Sequence, residues 1–175
     1  MAEAADAAET PRRPAVTRAG VLAYAVAVVV VVLDQLVKWW VLEVAQLGQR
    51  GSLQVLPFFH LTLTRNAGIS YGLFRADSDL MRWLIVLFAL VVIVGLALWA
   101  RRIQRPVTGL AAGLILGGAI GNNLIDRVRF GAVTDFLDFS PLFPWIFNVA
   151  DSGITIGVIL LLLEGFLFPQ KSRSA

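Results

Sequence analysis

The chain has 175 residues, of which 58% are hydrophobic and 15% charged, with a formal charge of +3 and a mean hydropathy of +0.76. Soluble domains are about 45–50% apolar and about 25% charged, so this surplus of apolar side chains excludes a water-soluble fold and requires a bilayer. No cysteine is present and His60 is the single histidine. Thiol nucleophiles, disulfides and thiolate metal sites are thereby removed, and any hydrolytic chemistry falls to carboxylates, hydroxyls or lysines.

Residues 1–18, rich in Ala, Pro and charge, read as a disordered tail. A helix crossing the hydrocarbon core needs about 20 mostly apolar residues. Four stretches approach that length, at approximately 19–42, 81–100, 107–125 and 154–168, the fourth being short. The first is preceded by Arg12 and Arg13 like a leader peptide, but it continues through Asp34 into LVKWWVL without a small-residue cleavage site, and reads as a span. Between the first two spans, 53–59 and 61–64 mix β-branched, aromatic and polar residues around Pro57 and predict small strands. This region, about 43–80, is expected outside the membrane, and its part around 53–74, with several aromatics, is expected to lie on the membrane surface and cover a site. The expected fold is an all-α membrane protein of four transmembrane helices, 19–168, with a small extracytoplasmic β-containing segment between the first and second and a short tail at 169–175.

Arg12, Arg13 and Arg18 precede the first span, Arg101, Arg102 and Arg105 fill the second loop, and Lys171 and Arg173 follow the fourth. The positive-inside bias puts these segments and both termini in the cytoplasm, and 43–80 and 126–153 outside. These anchors account for the net charge. Neither a basic nucleic-acid stripe, a phosphate loop nor a zinc-ligand cluster occurs, so no nucleic acid, cofactor or metal is expected.

Ionisable groups at membrane depth cost about 2.5–3.5 kcal/mol each on insertion scales, so each needs a partner or a purpose. Asp34 and Lys38, four apart, share a helix face and read as a structural ion pair or as the floor of a site. In RNAGISYG, 65–72, Asn66 and Gly68 suit a tight turn at the lip of a site. In GGAIGNNLIDRVRFGAVTDFLDF, 117–139, the glycines Gly117, Gly118 and Gly121 admit a close helix neighbour. Asn123 and Asp126 would share a face there, Arg127 invites a salt bridge with Asp126, and Asp135 and Asp138 share a face if the segment is helical. In FNVADSGITIG, 147–157, Asp151 or Ser152 reads as a cap of the last span, but Asn148 repeats the Asn-x-x-Asp spacing, so the third and fourth spans can bring acids together and a functional role is favoured for Asp151.

Two carboxylates close together in a partly apolar site cannot both ionise easily, so one keeps a proton while the other stays a base. Such a pair activates water against an amide without cysteine, histidine or metal. LDQLVK, RNAGISYG, GGAIGNNLIDR followed by VTDF, and FNVAD, in this order relative to four spans, closely resemble the bacterial lipoprotein signal peptidases, or signal peptidase II. The resemblance runs from about Leu33 to the end of the fourth span.

The resemblance implies an aspartic endopeptidase of the bacterial inner membrane that removes signal peptides from prolipoproteins, cutting before the diacylglyceryl-modified cysteine. It implies Asp135 and Asp151 as catalytic residues and Asp34, Lys38, Asn66, Gly68, Asn123, Asp126, Arg127 and Asn148 as substrate-binding or supporting ones. Asp138 is not carried over. It further implies diacylglyceryl-modified prolipoproteins and membrane lipid as partners and a globomycin-type cyclic peptide as inhibitor. The family's G-N-x-x-D-R departs here: counting back from Asp126 selects Asn123, counting forward from Gly121 selects Asn122. Asn123 is preferred because it keeps the distance to Asp126 and Asp135. Ile69 and Tyr71 also replace the smaller residue and the Phe usual in that turn. Transport is disfavoured because the acids gather at one interface, and a non-enzymatic scaffold would use the Asn-x-x-Asp pairs only to fasten helix ends.

Overall fold

The computed structural model describes residues 15–68 and 78–168. The two tails beyond these bounds, with Arg12, Arg13, Lys171 and Arg173, and the expected turn residues Ile69 and Tyr71 lie outside the described residues. The elements run α1 (Arg18–Trp39), α2 (Leu47–Arg50), β1 (Ser52–Leu56), β2 (Phe59–Asn66), α3 (Asp79–Ala100), α4 (Pro106–Ala119), α5 (Arg127–Phe130), β3 (Val133–Asp138) and α6 (Val149–Leu167). Two π-helical turns extend this set: Trp40–Val44 prolongs α1, and Ile120–Asp126 joins α4 to α5. Four continuous helical runs are long and apolar enough to cross a membrane, at Arg18–Val44, Asp79–Ala100, Pro106–Phe130 and Val149–Leu167. The fourth starts earlier than its hydropathy predicts, because polar Asn148, Asp151 and Ser152 belong to its first turn.

The four long helices begin at residues suited to a helix start. Thr17 accepts from the Gly20 N–H at the start of α1, and Ser78 accepts from Met81 at the start of α3. Pro106 opens α4, where its missing N–H is harmless. Asn148 and Asp151 form a reciprocal capping box on α6.

Without a hydrophobic force between helices in lipid, close backbone packing sets the bundle. Helix α4 is its centre. A side chain at Gly109, Gly113 or Gly117 would collide with the carbonyl oxygens of Ala19, Ala23 and Ala27 on α1, at 2.5, 2.5 and 2.7 Å. Gly118 faces the other way, onto the Ala150 carbonyl of α6 at 2.5 Å. The glycines read from sequence as a close-approach surface thus serve two neighbours. Leu87, Phe88 and Val91 on α3, and Leu162 and Phe166 on α6, are exposed on the bundle's outside, as a lipid-facing surface requires.

The two expected strands form a hairpin around Pro57 and Phe58, with Leu53 opposite Leu61 and Gln54 opposite His60. A third strand, which the sequence did not predict, completes an antiparallel sheet in the order β1-β2-β3. It pairs Thr64 with Asp135, Arg65 with Thr134 and Asn66 with Val133. Leu61 and Phe136 from this sheet pack with Val41 and Ala45, in and just after the π turn that prolongs α1, and with Leu47 of α2, fixing the sheet to one end of the bundle.

Candidate active site

Because 133–138 is a strand and not a helix, Asp135 and Asp138, three apart, point to opposite faces of it. The shared face expected for a helical segment does not exist. Asp135 turns inward and is 2% exposed, whereas Asp138 lies at the rim, accepting from Thr62 at 2.7 Å and from the Ser140 hydroxyl at 2.6 Å. Their acidities diverge accordingly. Burial lifts the Asp135 carboxyl above the ordinary carboxylate value, and the hydrogen bonds from Asn66 and Asn148 only partly oppose it. The Ser140 hydroxyl, ahead of smaller contributions, holds the Asp138 carboxyl below that value.

Asp151 arrives from the first turn of α6. The strand and the helix are brought together by Phe147, whose carbonyl accepts from Phe136 and Leu137 at 3.0 and 2.8 Å and whose N–H returns to Leu137 at 3.1 Å. Stacking of Phe139 on Phe59 and on Phe147, with centroids 4.7 and 5.8 Å apart, holds that crossing. Asn148 consequently sits between the acids. Its Nδ2 donates to Asp135 Oδ1 at 2.6 Å, its Oδ1 accepts from the Asp151 N–H at 2.9 Å, and its own N–H donates to Asp151 Oδ2 at 3.2 Å. Both carboxylates line one cavity of about 220 Å³, together with Asn66, Gly68, Asn122, Asn123, Arg127 and the apolar Ile146 and Ile154.

The remaining sequence-selected residues form two supports. On one side, Asn66 closes its turn by accepting from the Gly68 N–H at 3.0 Å and donates to Asp135 Oδ2 at 3.2 Å. Arg127, 2% exposed, clamps that turn from below through the carbonyls of Ala67 and Gly68 at 3.2 and 2.5 Å. On the other side, Lys38 binds Asp34 at 2.8 Å and Asp126 at 2.9 Å, all three fully or almost fully buried. Asp34 also caps α6 through the Ala150 N–H at 3.0 Å, and Asp126 accepts from the Thr134 N–H at 2.9 Å. The expected Asp34–Lys38 pair is present and reaches further than one helix. The expected pairing of Asp126 with Arg127 is replaced: Asp126 finds its cation in Lys38, and Arg127 turns to backbone carbonyls.

Residues 26–167 match the family model described as Signal peptidase (SPase) II. The chain belongs to the signal peptidase II family. It is 52% identical to the lipoprotein signal peptidase of Caulobacter vibrioides over 91% of this chain and 95% of that one. It is 44% identical to that of Nitrobacter hamburgensis over 90% and 97%. A bacterial membrane enzyme solved by the in meso method at 2.3 Å resolution superposes with a TM-score of 0.69 and 29% identity, over 87% of this chain and 93% of the other.

Within this peptidase the two neighbouring asparagines make different contacts. Asn122 donates to Asp151 Oδ1 at 2.7 Å and accepts from Lys38 Nζ at 2.7 Å, whereas Asn123 accepts from Arg127 Nε at 3.4 Å and lines the cavity. The physical reason is the π turn over Ile120–Asp126. Such a turn accommodates an extra residue within a helix, and both asparagines reach the site: Asn122 within the polar network and Asn123 on the cavity wall. Gln35 was missed as well, although it stands beside Asp34: its amide bridges Asp34 and Asp126 at 3.1 and 3.0 Å. Thr134 was also passed over, and its buried hydroxyl accepts from Arg65 at 2.6 Å.

Proposed function

We propose that this multi-pass membrane peptidase removes signal peptides from prolipoproteins by cutting before a diacylglyceryl-modified cysteine, with Asp135 and Asp151 as its catalytic pair. The observation that carries this reading is the delivery of two carboxylates, from a strand and a helix, to one cavity with Asn148 between them. One carboxylate takes a proton from water as its oxygen adds to the scissile carbonyl carbon. The other, protonated, supports the carbonyl oxygen and passes its proton to the departing amine. The C–N bond breaks, leaving a carboxyl end on the signal peptide and a free amine on the lipid-bearing cysteine.

Asn66 and Asn148 orient Asp135, and Arg127 with Gly68 shapes the lip over it. Asp34, Lys38 and Asp126 hold α1, α4 and α6 in register beneath the pair, and Asn123 completes the wall. The two acyl chains of the substrate stay in the bilayer, where each buried methylene contributes about 0.8 kcal/mol, so the substrate need not be extracted. The arginines at 101, 102 and 105 lie at the end of the bundle away from the sheet. By the positive-inside bias that end faces the cytoplasm of a bacterial inner membrane, with both termini, and the catalytic pair faces outward. A globomycin-type cyclic peptide is expected to occupy the same cavity.

The test is cleavage of a lipid-modified preprolipoprotein by purified protein in detergent. The native chain releases the shortened product; Asp135→Asn and Asp151→Asn each reduce turnover by at least about 1,000-fold. Normal turnover in either variant removes that residue from the pair.

A further inference from the structure

The four asparagines of this site each have the amide oxygen fixed by a neighbour that only donates. The lysine ammonium carries three N–H groups and no acceptor. Lys38 aims at Asp34 Oδ2, Asp126 Oδ2 and Asn122 Oδ1, at 2.8, 2.9 and 2.7 Å. The Asn122 oxygen must therefore face Lys38, and its Nδ2 must face the acids. That nitrogen donates to Asp151 Oδ1 at 2.7 Å and reaches Asn148 Oδ1 at 3.3 Å. Asn148 Oδ1 in turn receives the Asp151 N–H, so the Asn148 Nδ2 must face Asp135. The donors run in one direction, from Lys38 through Asn122 to Asp151 and through Asn148 to Asp135.

We infer that Asn122 is a positioning residue for the hydrolysis: with its oxygen pinned by Lys38, it presents an N–H to Asp151 and keeps that carboxylate oxygen an acceptor aimed into the cavity. The inference rests on Asp135 and Asp151 being the catalytic pair. It assigns a role to the extra residue that the π turn accommodates. In a buried setting an unpinned amide can rotate and offer its oxygen, and two oxygens face to face repel. Lys38 prevents this because its remaining donors are committed to Asp34 and Asp126, so it cannot leave Asn122 without withdrawing the cation from two buried carboxylates.

Asn122→Asp separates this role from a structural one. Aspartate keeps the shape and the acceptor for Lys38 but replaces the N–H toward Asp151 with an oxygen. If Asn122 serves only as a partner for Lys38, the variant works. On the inference its kcat falls roughly 100-fold or more, the magnitude typical of losing one oriented donor at a reacting centre, while KM stays within about twofold. Asn122→Ala, which leaves the Lys38 pairs with Asp34 and Asp126 in place, falls to a similar kcat and supplies the reading if the aspartate variant does not fold. Asp135→Asn and Asp151→Asn are assayed beside them. Activity surviving in those two overturns the catalytic pair itself. Their loss together with a kcat for Asn122→Asp or Asn122→Ala within about threefold of the native value overturns the positioning role alone.

Discussion

The two ends of the bundle each bury acids, and they treat them differently. At the end away from the sheet, Glu164 of α6 is 9% exposed, pairs with Arg105 at 3.6 Å and accepts the Thr108 hydroxyl of α4. At the sheet end, Asp34 and Asp126 share Lys38 in the same manner. Asp135 and Asp151, only a few side chains away, are held by amide N–H groups, and among the described residues no ion pair reaches them. An acid matched to a cation fastens helices to one another. An acid held by neutral amides keeps its geometry with no cation bonded to it, a setting suited to general acid and base work.

Three substitutions sharpen this contrast. The largest effect is expected from Lys38→Met, which leaves Asp34 and Asp126 buried without a cation. Breaking a buried pair from one side typically destabilises by about 3–5 kcal/mol, so thermal unfolding in detergent should show a large fall in Tm; an unchanged Tm would mean that the cluster does not bind the helices. Glu164→Gln is milder, because Arg105 is about half exposed and solvent-screened and the Thr108 hydroxyl still has an acceptor. A loss of about 1 kcal/mol is expected, with cleavage retained, and a loss of cleavage would extend the machinery to the far end.

The smallest effect on stability, and the opposite in sign, is expected from Asp135→Asn. The folded Asp135 carboxyl titrates above its unfolded value, so its contribution to stability is full below the ordinary carboxylate value near about 4 and is lost as pH rises through the folded value. Unfolding measured against pH should therefore show the native chain losing ground to Asp135→Asn as pH rises. A native chain that gains on the variant with rising pH would mean that Asp135 is ionised comfortably.

The four spans and the hairpin were legible because hydropathy and β-propensity are local. The acids and their asparagines were legible through motif order. Three features were not, each for lack of a local signal. Strand β3 is defined by pairing with β2 across the whole of α3 and α4, so the spacing of Asp135 and Asp138 looked equally compatible with a helix. The partner of Asp126 is Lys38 on another span, which no neighbouring charge announces, and adjacent Arg127 was the nearer but wrong choice. The contacts of Asn122 with Lys38 and Asp151 depend on the π turn over Ile120–Asp126, which changes the rotation per residue, and the doubled asparagine alone does not say which of the pair faces Asp151.

The most direct test of the account measures turnover of lipid-modified preprolipoprotein by Asp135→Asn protein whose Tm has been shown to equal or exceed the native value. No product above background is the predicted result. Native-like turnover by that intact protein would contradict the claim that the acids held without cations are the ones that cut.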